Sequence, residues 1–559
     1  MPTTAVVGAN FGREVLGSAI PVLVEFCGGR STTPALEAVA NQLEGKVKIV
    51  RVDIGLNHAL KWEYEIRALP ALILFKQGRP VARRIGGLVR HEELEEWVDG
   101  ALILALATRR TSAARCATQF KLSNGMEVVV IPDHRAPIVT HMVWYRAGAG
   151  DDPLGFSGVA CLVEYLTFKS MDKIGDASRT IARLGGKQNA FCGKDATVYW
   201  QRVSKNSLET VMEVEAERMA RLNITDDEVT IVRNVMLESL REGDNDPGAQ
   251  LHEKMHAALY RSHPYGIPRV GWSNEIARLT RRDATRFFKR HYVPNNAVLI
   301  VSGDVAPEEV RRLAEGAYGK LPTGALSQRA CSQAPPAIVD HRITITDPRA
   351  GAGRFSRQYA VPSYATAPPG DGEALELLTK ILVVGTGSRL HRKLVIEKRL
   401  AAIVAGRYRR LGVQAGFISL SAVPNGVDLN VIEGVVDDVL EDVRQNGVTR
   451  VELGGAKRSL LASHILDGDD QQHLARSYGW AVVTGQTIDE FEDWAASISK
   501  VTVADVIKAA NKYLDPRQAV TGYLLSGQGD GEAVRRLRRD KPAAIRRKAP
   551  SSPVRQKGY

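Results

Sequence analysis

Short apolar runs alternate with amphipathic stretches from the first residues onward. Val22-Leu-Val-Glu-Phe26, Val47-Lys-Ile-Val-Arg-Val-Asp53 and Ala71-Leu-Ile-Leu-Phe75 have strand length and predict buried strands, and Val81 to Gly87 predicts a fourth. Helical patterns run from about Pro34 to Leu43 and from His91 to Leu104. This alternation predicts an α/β unit over residues 1–106. Residues 107–117 are small, polar and basic, and form a linker.

A different rhythm begins at residue 118. Phe120 to Ile131 is a strand, an Asn124-Gly125 turn and a second strand, and His141 to Tyr145 is another strand. A short apolar helix, Gly158 to Phe168, carries one carboxylate, Glu164. Cys161 and Tyr165 are four apart and share a helix face, with Glu164 beside them. A helix over Ala177 to Leu184 and paired strands at 186–191 and 196–203 follow, then long helices at Ser207 to Leu222 and Thr225 to Arg241. The pattern is α+β over 118–322. A Pro/Ser/Gln-rich boundary occupies 323–336. A second α+β unit over 337–527 opens with Arg342-Ile-Thr-Ile-Thr346 and includes a strand at Gly416 to Ser421 and a helix from Glu452 to Ile465.

With 559 residues, the chain exceeds what a single core accommodates. The net charge of +12 is concentrated at one end: Arg535 to Lys557 holds ten Lys/Arg against Asp540 alone, leaving +3 for everything else. The segment 528–559 is therefore expected to be a disordered basic tail, solubilising or in contact with nucleic acid or an anionic surface. Five scattered cysteines without a CxxC pair argue against a disulfide framework. No apolar run approaches the ~18 residues of a membrane span, and Met1 to Arg13 lacks the pattern of an export signal. The expectation is a cytoplasmic protein with no transmembrane segment.

Residues 1–106 resemble thioredoxin through Val24-Glu-Phe26, Val52-Asp53 and Arg67-Ala-Leu-Pro-Ala-Leu-Ile-Leu-Phe-Lys-Gln-Gly78. In that family the proline matching Pro70 follows a cis peptide bond beside a Cys-x-x-Cys centre. Here the centre reads Phe26-Cys-Gly-Gly-Arg-Ser-Thr-Thr-Pro34, so Cys27 has no partner cysteine nearby. Dithiol exchange needs two thiols. The resemblance implies a structural or partner-binding module, with a thiol-linked chaperone acting through Cys27 as the alternative.

Asn124-Gly125, Gly158…Glu164…Phe168-Lys169, Gly185-Gly186…Asn189-Ala190, Glu217-Arg218, Asn245-Asp-Pro-Gly248, His263-Pro-Tyr-Gly266 and Tyr292-Val-Pro-Asn-Asn296 resemble the pitrilysin/insulinase zinc peptidases of the mitochondrial-processing-peptidase-like subgroup. The resemblance implies two homologous α+β domains of LuxS/metallohydrolase-like type, facing one another across a cavity. It also implies zinc held by an inverted His-x-x-Glu-His motif and a distant glutamate, with the motif glutamate as general base. The motif falls on Cys161-Leu-Val-Glu164-Tyr165, and the distant position on Ser239 with Glu238 before it; Val232 stands where a supporting glutamate is usual. Asn189-Ala190 matches the edge strand that pairs with extended substrate. In the second domain the family's substrate-positioning arginine and tyrosine have no clear match around Leu394 to Ile403.

His252-Glu-Lys-Met-His256 spells a zincin motif, but it lies where the family has a helix without ligands, and solvent-facing helix residues are the default expectation. Gly385-Thr-Gly-Ser388 lacks the Lys-Ser/Thr ending of a phosphate loop. The joint reading is a catalytically inactive peptidase homologue with no cofactor. It would bind extended peptide or unfolded protein, or pair with an active homologous subunit or with itself. The alternative is a zinc metalloendopeptidase with an atypical site, from Cys161 or from His252 and His256.

Overall fold

The structure, a computed structural model, describes residues 4–5, 8–28, 47–64, 66, 68–85, 117–174, 177–326, 329 and 341–527, with isolated positions at 36, 94, 97–98 and 101. The tail 528–559, nearly all of the linker 107–117, most of 323–336 and most of the helices expected at 34–43 and 91–104 lie outside the described residues.

Five strands make the first sheet: β1 (Thr4–Ala5), β2 (Val22–Cys27), β3 (Lys48–Asp53), β4 (Ala71–Lys76) and β5 (Arg79–Ile85), in the order β1-β3-β2-β4-β5. The first three are mutually parallel, and β4 and β5 run antiparallel. All six residues of β2 are buried. Val24 and Phe26 pack with Phe11 and Phe75 on one face, and Leu23 packs with Leu36 and Leu94 on the other. Burial on two faces explains a continuous apolar run where a one-sided strand would alternate. The β4–β5 turn places Gln77 and Gly78 at φ 49 and 78°, the geometry a tight hairpin demands, so β5 starts two residues before the expected Val81. Strand β1 and the helix His58–Glu63 are too short for periodicity to reveal.

The second sheet contains β6 (Thr118–Lys121), β7 (Glu127–Pro132), β8 (Ile138–Tyr145), β9 (Lys187–Cys192), β10 (Thr197–Ser204) and β11 (Ala297–Gly303), ordered β6-β7-β11-β8-β10-β9. The third contains β12 (His341–Thr346), β13 (Arg354–Val361), β14 (Ala401–Tyr408), β15 (Gly416–Pro424) and β16 (Ala519–Leu525), ordered β12-β16-β13-β15-β14. The pairing sense repeats: β7–β11 and β12–β16 are parallel and the following pairs antiparallel. Strands β9 and β14 are therefore equivalent, each the outermost of its sheet.

The helices used below are α1 (Val159–Ile174), α2 (Leu208–Ala220), α3 (Asp226–Asp244), α4 (Pro247–Tyr260), α5 (Asp371–Leu382), α6 (Leu429–Asn446), α7 (Arg450–Asp467), α8 (Gln471–Val483) and α9 (Val503–Tyr513). Capping boxes start α3, α7 and α9, with Thr225, Thr449 and Thr502 bonded to Glu228, Glu452 and Asp505. Helices α1, α2 and α3 bury Cys161, Leu162, Leu166, Met212, Val232 and Met236 against Val128, Val143 and Tyr199 of the second sheet. Helices α5, α6 and α9 bury Leu378, Ile432, Val436 and Val506 against Phe355, Tyr359 and Ile418 of the third.

Both sheets have a second apolar face, and each is covered by the other half of the chain. Helix α8 lays Leu474, Ala475, Tyr478 and Val482 on Met142, Trp144, Val298 and Ile300. Helix α4 lays Leu251, Met255 and Leu259 on Ile345, Phe417, Val520 and Leu524. Glycines permit both approaches: a Cβ on Gly479 of α8 would overlap the Trp144 indole, and one on Gly522 of β16 would overlap Met255 Sδ. The boundary at 323–336 thus separates two sheets in sequence, while the packed layers cross it.

Candidate functional site

The loop before α1 and the loop 269–271 are pressed together. Gly158 (φ 90°) and Gly271 (φ 102°) face each other so closely that a Cβ on Gly158 would overlap the Val270 carbonyl, and one on Gly271 would lie 2.6 Å from Ser157 O. Asp152 accepts hydrogen bonds from the N–H groups of Gly158 (2.7 Å) and Ala160 (2.9 Å), placing a carboxylate at the α1 N-terminus. Burial nonetheless pushes the Asp152 carboxyl up to about 7.

This contact delivers Arg269 to α1. The fully buried Cys161 thiol donates to Arg269 O at 3.2 Å. The guanidinium lies 3.8 Å from Cys161 Sγ through Nη1, donates to Cys192 O at 3.2 Å, and sits 6.0 Å from the Phe191 ring centroid. The neighbouring Cys161 thiol, together with burial, holds the Cys192 thiol well above its ordinary range. The Glu164 carboxyl, half-buried one helical step away, makes no hydrogen bond among the described residues, while the Glu164 backbone carbonyl accepts from the Thr167 hydroxyl at 3.0 Å. Burial raises its carboxyl to about 7, opposed by the charges of Arg269 and Arg218. Tyr165 is half-buried against the apolar core, its hydroxyl raised by burial and by Glu164. Beyond β9, burial lowers Lys194 to about 8, and its Nζ donates to Ile267 O.

The remaining expected ligand positions do not converge. Ser239 and Glu238 are exposed on α3, Glu238 pairs with Arg241 at 3.1 Å, and Val232 is buried in the core. Zinc is held by Cys, His and carboxylate donors, usually four in tetrahedral array. Here one buried thiol is committed to a backbone carbonyl, a guanidinium lies beside it, and no three His, Cys, Asp or Glu side chains gather into a metal-holding group among the described residues. These residues do not fit the metal that the resemblance implies.

The His252/His256 pair corrects the expectation of solvent-facing helix residues. Both are half-buried beneath the third sheet, with ring centroids 4.3 Å apart. His252 Nδ1 meets Gln358 Nε2 at 3.2 Å, and His256 packs edge-on to Phe417 at 4.7 Å. Burial lowers His256 to about 3, reinforced by His252, Arg409, Arg407 and Lys194. A pair crowded by cations is a poor seat for a metal ion. His263 accepts the Tyr265 N–H at 3.1 Å and caps its own turn.

Asn189 and Ala190 lie on β9, which among the described residues pairs only with β10. The Asn189 side-chain oxygen accepts the Ala190 N–H at 2.8 Å. Cys27 ends β2 instead of standing in a loop; its buried thiol lies 3.7 Å from Val52 O and is raised by burial, then by Glu25. The Leu69–Pro70 bond is cis. Arg269, Lys194, Asp152 and the Cys161–Cys192 proximity escaped the sequence reading. The one available signal was Gly271, whose role in a close approach is visible only once α1 is placed.

The halves are pinned together beside this region. Asp195 accepts from Arg409 at 3.2 Å and from the Tyr265 hydroxyl, and Tyr260 donates to Gly416 O at 3.1 Å. Among the described residues no helix is long and apolar enough to cross a membrane.

Comparison with known proteins agrees with this architecture. Insulinase (peptidase family M16) matches residues 127–271, the peptidase M16 inactive domain matches 278–460, and thioredoxin matches 2–100. A zinc protease of Mycobacterium leprae is 30% identical over 416 residues, covering 73% of this chain and 91% of the relative. The zinc protease PqqE of Helicobacter pylori is 27% identical over 72% of this chain and 91% of its own length. The probable mitochondrial-processing peptidase subunit beta of Schizosaccharomyces pombe is 24% identical over 73% and 91%. Among solved structures, a Helicobacter pylori protease superposes with a TM-score of 0.68 at 26% identity, covering 73% of this chain and 99% of that one. With two equivalent sheets, exchanged helices and these matches, the chain belongs to the insulinase family of peptidases, M16, and carries a thioredoxin-like segment ahead of it.

Proposed function

We propose that this chain is a non-catalytic M16 protein that binds extended peptide. The observation that carries the reading is the Arg269 guanidinium beside Cys161, with Tyr165 and Ser239 at the other two positions where the family places ligands. Without a metal to activate water, Glu164 is a half-buried carboxyl group and no longer a general base. The outer edge of β9, unpaired among the described residues, supports the binding half of the proposal, because an extended chain can add to an open edge through backbone hydrogen bonds alone. Incoming peptide must displace Asn189 from the Ala190 N–H. One relative is by name a subunit of a processing peptidase, so an active homologous subunit is the partner this reading implies.

Metal analysis of the purified full-length protein tests it, together with a cleavage assay on unstructured peptides. The expected result is substoichiometric zinc, no cleavage, and measurable peptide binding. One zinc per chain, lost together with cleavage in Cys161→Ala or His252→Ala, would overturn the reading in favour of an active peptidase with an atypical site.

A further inference from the structure

Where α4 enters the second half, its first turn overhangs a cavity of about 450 Å³ on the third sheet. Strand register builds the floor. Gln358 of β13 stands opposite Ser419 of β15, which stands opposite Arg407 of β14; two residues along, Ser356, Ser421 and Ala405 form the next row. The two-residue period of the strand puts Arg354 on the same face, and its Nη1 lies 3.3 Å from where a Cβ on Gly248 would stand. Gly248, Ala249 and His252 of α4 form the roof, with Asp246 at its edge.

Two arginines face a single carboxylate here. Both arginines are exposed, and among the described residues neither guanidinium makes a hydrogen bond or an ion pair; that of Arg407 rests 5.2 Å from the Phe417 ring centroid. Asp246, the one carboxylate in the lining, caps α4 by accepting the Gly248 N–H at 2.8 Å. Burial, then the charge of Arg407, lowers the His252 imidazole. Gln358 is 3% exposed, yet its Oε1 has no partner while its Nε2 meets His252. Two guanidiniums without an ion pair on one cavity favour an anionic ligand, while the Gln358 Oε1, which only accepts, suits an N–H of the same ligand, such as a peptide backbone amide. The helix N-terminus favours the same sign of ligand.

We infer that this cavity is an oxyanion site, and that its ligand is the carboxylate of an acidic residue in a bound peptide, gripped by Arg354 and Arg407. The volume lies within the ~300–1,000 Å³ of organic-ligand pockets and far exceeds what a lone inorganic anion fills. Arg407 and Ala405 project from β14, the outermost strand of its sheet, so a peptide lying along that edge brings its side chains over the opening. The peptide source rests on the peptide-binding function proposed above; the oxyanion chemistry does not.

The test uses the full chain at low ionic strength and two labelled unstructured peptides differing only by Glu→Gln, read by fluorescence anisotropy. Inorganic phosphate serves as competitor and, by calorimetry, as a probe on its own. The acidic peptide should bind at least about tenfold more tightly. That advantage should vanish in the Arg354→Gln/Arg407→Gln double variant while the neutral peptide is unaffected, and phosphate should erode it. Equal affinity of the two peptides overturns the acidic-peptide inference and leaves peptide binding standing. Arginine-dependent phosphate binding with no binding of either peptide overturns the peptide source and leaves a free-anion site. No binding of any probe overturns both.

Discussion

Replacing Gly479 with alanine should destabilise the protein, although alanine is the better helix former. In an exposed helix interior this substitution gains about 1 kcal/mol. At 479 the new Cβ would stand 2.6 Å from Cζ2 of Trp144 and closer still to Cε2 and Nε1. Trp144 is 1% exposed and packed edge-on to Trp480 at 5.2 Å, so it has nowhere to retreat. Overpacking a rigid core costs about 3 kcal/mol at the upper end of its usual range, leaving a net loss of about 2 kcal/mol. At about 2–4 °C per kcal/mol for a unit of this size, Tm should drop by about 4–8 °C. Gly434, exposed on α6 with nothing within 4 Å of its Cβ direction, is the control, and its alanine variant should gain about 1 kcal/mol and melt higher. Scanning fluorimetry on intrinsic tryptophan emission reads both, since Trp144 and Trp480 form the contact. If Gly479→Ala melts higher, as Gly434→Ala should, α8 does not sit on β8 and the exchange of helices between the halves is refuted.

Glu164→Gln should stabilise the protein increasingly as pH rises. The folded carboxyl, at about 7 against an ordinary 4.5, binds a proton that the unfolded chain releases, so wild-type stability falls between these values. A Tm difference that instead shrinks from pH 5 to 8 would reveal a cation bound beside Glu164. His141 titrates in the opposite sense: buried and bonded to Gln201 and Tyr318, it is held down to about 4, so stability should be lost as pH falls from 6.5 toward 4, with a shallower slope in His141→Gln. Because the Cys27 thiol is buried and raised, it should react with Ellman's reagent far more slowly in native than in urea-unfolded protein, and no mixed disulfide with client proteins should be trapped. Rapid native labelling that disappears in Cys27→Ser would restore the thiol-linked chaperone.

Local pattern carried much of the fold. The Asn124-Gly125 turn, the paired strands β9 and β10, the helices beginning after Thr225 and near Glu452, and the buried runs of β2, β3 and β4 each lie where the residues point to them. Such elements depend on neighbours within a few positions. The helix α4 shows where that logic stops. Its polar histidines suggest a solvent face, yet they are covered by β13 and β15 from more than 100 residues further along the chain.

The candidate site divides along the same line. Which side chains occupy the ligand positions is decided by sequence alone: Cys161, Glu164, Tyr165 and Ser239 are simply the residues present. What surrounds them is not. Arg269 reaches Cys161 across 108 positions because two glycines let the loop 269–271 lie against the start of α1. Arg354 and Arg407 share a cavity because strand register sets them on one face and α4 crosses over from the other half. Hydrophobic periodicity records which face of an element is buried, and both faces of each large sheet are. It does not record which helix does the burying, and that choice places the charges under α4.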